Sequence, residues 1–101
     1  MFLIEILLPV RDNQGRPFAA DTYRDLRDQL TDRYGGVTAF TRAPAQGETD
    51  AGGHKIQDDI VIYEVMTEEL DRNWWKECRA SLERIFRQDE IVVRATQFDK
   101  L

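Results

Sequence analysis

With 42% apolar and 33% charged residues, a chain of 101 residues has the make-up of an ordinary water-facing globular protein, with material for one core and too little for two. Its formal net charge of −5 argues against nucleic acid, which binds where a basic surface can release counterions from phosphates, and equally against an anionic membrane surface. The single cysteine, Cys78, excludes an internal disulfide and suits a reducing compartment.

The first ten residues, Met1 to Val10, are almost wholly apolar. No Lys or Arg precedes the run, Glu5 interrupts it and Arg11-Asp12 follows, which is not the pattern of a secretory signal. It is also far shorter than the roughly 20 residues that span a bilayer. We read a strand over Phe2 to Pro9 and expect a cytoplasmic protein. Phe2, Ile4, Ile6 and Leu8 lie on one face and Leu3, Glu5 and Leu7 on the other. Both faces are apolar but for Glu5, so the strand is expected in the middle of a sheet. Arg11 to Pro17 is turn chemistry throughout.

The spacing predicts a first helix from about Phe18 to Tyr34, with Tyr23, Leu26, Leu30 and Tyr34 as its buried stripe. Gly35-Gly36 ends it. Val37 to Ala43 reads as a second strand, less apolar and so at an edge. Pro44 to Asp58 is polar and carries Gly47, Gly52 and Gly53; weak order is expected between Gln46 and Lys55. Asp59 to Met66 is the most strand-like stretch of the chain, rich in β-branched and aromatic residues. Thr67, followed by Glu68 and Glu69, is expected to cap a second helix. Trp75, Cys78, Leu82 and Ile85 form that helix's apolar stripe, widened by Trp74 and Phe86. Ile91 to Phe98 is the last strand.

The order is β-α-β-β-α-β over residues 1–101, a single domain. Two right-handed crossover units interleave as a four-stranded antiparallel sheet with both helices on one face, the ferredoxin-like α+β arrangement, in which the first and third strands lie in the middle. The face left open then carries Leu3, Glu5, Leu7, Ile62, Glu64, Met66, Val92, Arg94, Thr96, Thr38 and Phe40. A solvent-facing sheet is normally polar, and this one is not. A second copy of the chain is the expected cover, and the reading resembles the dimeric α+β barrels, which pack sheet to sheet.

Glu5, Glu64 and Arg94 sit within this apolar setting. Two carboxylates beside one guanidinium could hold a raised carboxylate pKa for general acid or base work, or could simply form a cross-strand ion pair that fixes register. With Arg94 close, Glu64 is expected to titrate near or below the ordinary value of about 4.3. His54, the only histidine, is a candidate proton carrier on the 44–58 loop. Phe40, Arg94 and Trp74 are candidate substrate contacts, although adjacent Trp74 and Trp75 also suit packing at a helix seam.

Metal binding is not expected: Glu48, Asp50, His54 and Asp58 meet no zinc or calcium spacing. Cys78 lies on a core stripe, where a thiol is inert. Gly52-Gly53-His54-Lys55 lacks the strand and helix of a phosphate loop, so no cofactor is expected. RNA-recognition domains share the topology but need paired aromatics on the central strands. Gln14-Gly15 near Arg11 and Arg16 resembles the anion loop of acylphosphatases, while the Asn of that family's second strand is absent from Val37-Thr38-Ala39-Phe40. Two functions remain. One is a small soluble homodimeric module, structural or binding. The other is a cofactor-independent enzyme or small-molecule binder with a pocket on the open sheet face.

Overall fold

A computed structural model describes residues 1–42 and 60–101, the side chain of Arg42 excepted. The elements are β1 (Phe2–Pro9), α1 (Ala20–Tyr34), β2 (Thr38–Arg42), β3 (Ile60–Thr67), α2 (Arg72–Ile85) and β4 (Val92–Gln97). The four strands form one sheet in the order β2-β3-β1-β4, every neighbour antiparallel, so β1 and β3 are central as their two apolar faces require. This is the ferredoxin-like arrangement. Among the described residues, no helix is long and apolar enough to cross a membrane.

The alternation of β1 decides where the core sits. Ile4, Ile6 and Leu8 are buried with Tyr63 and Val65 of β3, Leu26 and Leu30 of α1, and Trp75, Cys78 and Leu82 of α2. Burial of this kind stabilises by about 25 cal/mol per Å² of apolar surface removed from water. Phe86 closes the core at one end: its ring lies 4.9 Å from that of Phe18 and 5.5 Å from that of Tyr23. The two tyrosines satisfy their hydroxyls inside the fold, Tyr23 donating to the Pro9 carbonyl at 2.7 Å and Tyr63 to the Tyr23 carbonyl at 3.2 Å. Burial pushes the Cys78 thiol up to about 11, which keeps it protonated and inert.

Gly35 ends α1 in the left-handed conformation, φ 81°, with its N–H on the Thr31 carbonyl at 2.8 Å. Two local expectations are corrected. Thr67 does not cap α2: it is the last residue of β3, and its hydroxyl donates to the Glu69 carbonyl. The cap is Asp71, whose carboxylate accepts the Trp74 N–H at 3.1 Å. Ile85 leaves the apolar stripe and is exposed, because the stripe continues from Leu82 by four residues to Phe86 rather than by three.

The open sheet face

The strand registers arrange the face away from the helices, which no described element covers, in cross-strand rows. One row is apolar throughout: Phe40, Ile62, Leu7 and Val92. The next is Thr38, Glu64, Glu5 and Arg94, and a third places Met66 beside Leu3 and Thr96. A polar row is thus held between two apolar ones. Ile62 is only 2% exposed between Phe40 and Leu7, whereas Phe40, Val92 and Met66 are 41%, 42% and 54% exposed.

Within the polar row the charges are not shared evenly. Arg94 donates from Nε to Glu5 Oε1 at 3.0 Å, with the Glu5 carboxylate largely covered and the Arg94 side chain about half exposed. Glu64 stands on the far side of Glu5, opposite a second carboxylate and next to Thr38, which offers no charge. Among the described residues Glu64 has no ion-pair partner. Partial removal from water pushes its carboxyl above the usual range, and the facing Glu5 carboxylate adds to the shift by accepting its proton and by repelling its charge. The expected ordinary or low value for Glu64 is therefore corrected, because among the described residues the nearest guanidinium of this row, Arg94, lies across β1 and is already engaged by Glu5.

Glu64 also lines an open depression of about 460 Å³ at the β2–β3 side of the face, with Leu3, Tyr34, Val37, Thr38 and Met66. Tyr34 belongs to the α1 stripe, and its place in the last turn, just before Gly35, is the signal that also sets it beside this depression. The face brings together Glu5, Glu64, Arg94 and Phe40. Trp74 is not among them: it packs in the helical layer, 5.7 Å from the Tyr34 ring and 4.7 Å from that of Trp75, with the Arg33 guanidinium 4.4 Å over it. His54 and the rest of the 44–58 loop, including the stretch expected to be weakly ordered, lie outside the described residues.

The turn after β1 uses its own anion. Asp12 accepts the backbone N–H groups of Gln14 and Arg16 at 2.9 Å each, and the Gly15 N–H goes to the Asp12 carbonyl. The bond from Arg16 is the main cause that holds the Asp12 carboxyl below its ordinary range, partly opposed by burial. Those donors would be the ones to meet a phosphate in an acylphosphatase-like loop, and here a side chain of the loop itself engages them.

No family model and no curated protein matches the sequence. Among solved structures the chain is similar to a phage SAM lyase in complex with S-methyl-5'-thioadenosine, with a TM-score of 0.62 and 13% sequence identity over 95% of this chain and 80% of that one. At that identity the likeness is one of fold.

Proposed function

We propose that this chain works as a homodimeric module that buries the open face of its sheet against a second copy. The observation that carries the reading is the apolar row of Phe40, Ile62, Leu7 and Val92 together with Met66 and Leu3, with Phe40, Val92 and Met66 exposed on either side of a polar row in which Glu5 and Arg94 are paired. Burying the apolar part of such a face lowers the free energy by about 25 cal/mol per Å² removed from water. The Glu5–Arg94 pair supplies the fixed polar contact that sets register between sheets, as cross-strand pairs do within them. Two-fold packing also makes the patch self-complementary.

A second reading rests on the depression beside Glu64. The structural neighbour acts on SAM, a sulfonium cation, and an anionic carboxylate pair in an apolar setting suits a cation of that kind. The depression is open rather than enclosed, which favours assembly over catalysis as the role of the face.

Sedimentation velocity at micromolar concentration tests both readings in one cell. The expected result is a dimer, with Met66→Glu or Val92→Arg giving a monomer that keeps its helical circular dichroism. S-adenosylmethionine in the same cell reports the second reading if its absorbance at about 260 nm travels with the wild-type protein and not with Glu64→Ala. A monomeric wild type at tens of micromolar would overturn the dimer.

A further inference from the structure

A larger groove, of about 520 Å³, runs between α2 and β4 at the edge of the sheet. Its size falls in the range of about 300–1,000 Å³ that holds small molecules. Ile4, Trp75 and Val93 give it an apolar floor, and Arg72, Lys76 and Arg79 of α2 stand along it. Arg94 borders it from β4 with its side chain turned to the open face and bonded to Glu5, so among the described residues the charges that α2 sets along the groove are all cations, in a chain with 19 acidic and 14 basic side chains.

Those three helix cations are placed where folding alone disfavours them. Arg72 is the first residue of α2, at the positive end of the helix dipole, where the capping Asp71 carboxylate is the favoured charge and a cation is not. Lys76 follows Arg72 by four residues and Arg79 follows Lys76 by three, so like charges neighbour each other along one face. Among the described residues none of the three is in an ion pair, so their charges are free to meet an anion. The floor adds a second and independent sign. Trp75 is 5% exposed, and its indole N–H, shut away from water, meets no acceptor among the described residues. A buried donor without a partner is rare enough to need an explanation.

We infer that this groove binds a small organic anion, its apolar body on the Trp75 floor and its phosphate or carboxylate among Arg72, Lys76 and Arg79. Guanidinium and ammonium groups at the mouth give charge-assisted bonds, and the floor gives area. The site lies between α2 and β4 and does not depend on what covers the open sheet face.

The test follows the indole N–H signals of the ¹⁵N-labelled full chain. There are two tryptophans, and Trp74→Phe assigns the pair. The probes are 1-naphthyl phosphate, 1-naphthoate and the neutral 1-naphthol. We expect a saturable shift of the Trp75 signal with at least one of the two anions, and whichever binds more tightly names the head group. We expect 1-naphthol to bind at least about tenfold more weakly, and the Arg72→Gln/Lys76→Gln/Arg79→Gln variant to lose at least about tenfold for the anion, as charge-assisted contacts imply. These three residues are exposed, so the variant keeps its fold. Met66→Glu, which tests the dimer, should leave the anion titration unchanged. Naphthol binding as tightly as the anions, anion binding unaltered in the triple variant, or a Trp75 signal that neither anion moves would each overturn the inference.

Discussion

Carboxylates set directly opposite each other on neighbouring antiparallel strands repel, and the repulsion belongs to the residue pair rather than to the sheet. Glu64 bears that cost here, because Arg94 is spent on Glu5. Its folded pKa is raised above the unfolded one, so the protonated form is favoured by the fold. The stabilisation tied to that proton is complete below the unfolded pKa and is lost as the pH rises through the folded value. Glu64→Gln mimics the protonated form at every pH. At pH 7 it should raise the stability of the monomer by about 0.2–1 kcal/mol in urea melts, and at pH 3 it should change nothing. A loss of stability at pH 7 would mean that the charge of Glu64 is paired. Which of the two carboxylates would win Arg94 was not legible in the chain, since that depends on strand register and not on residue type. Arg72, Lys76 and Arg79 could have been noticed from their helical spacing around Trp75, but charge on a helix face is most often only solvated.

At the scale of the element, alternation carried the sheet: β1 and β3 each show two apolar faces, and only the central places of a four-stranded sheet bury both sides. Where the sequence offered two equivalent choices, tertiary packing chose. Thr67 and Asp71 are both good capping residues. The strand keeps Thr67, since it still pairs with Phe2 of β1, and the helix starts five residues later, at Arg72. Asp71 is also held by Arg33 at the end of α1, Oδ2 to Nη2 at 3.1 Å, so the cap of one helix is tied to the last turn of the other. Asp71→Ala should therefore cost about 1 kcal/mol, the ordinary value of a lost cap. Asp71→Asn keeps the acceptor and gives up only an exposed ion pair, for about 0.2–1 kcal/mol at most. Thr67→Ala, read by the same denaturant melts, should cost less than Asp71→Ala. The reverse order would return the cap to Thr67.

For the whole molecule, the proton on Glu64 and the cover of the sheet are linked. If the open face docks on a second copy, each protomer takes one polar row out of water, with Glu5 and Arg94 neutralising each other and Glu64 left over. The ionisable groups of that row are Glu5 on β1, Glu64 on β3 and Arg94 on β4, while β2 contributes the uncharged Thr38. Removing Glu64 from water raises its pKa further than in the monomer, because desolvation disfavours the charged form. The dimer then binds protons more tightly than two monomers do, and by linkage a fall in pH strengthens assembly. Each protomer contributes one such carboxyl, so the effect enters twice. We expect the dimer dissociation constant to fall by about tenfold between pH 7.5 and 5.5, which corresponds to about 1.4 kcal/mol and is within reach of two partly buried carboxyls. Glu64→Gln should dimerise more tightly than wild type at pH 7.5 and lose the pH dependence, while Glu5→Gln, which frees Arg94 to turn toward Glu64, should keep Glu64 charged and leave assembly less responsive to pH. Sedimentation equilibrium across that range decides it. A dissociation constant that does not move with pH, or one that moves equally in Glu64→Gln, would place Glu64 outside the buried face.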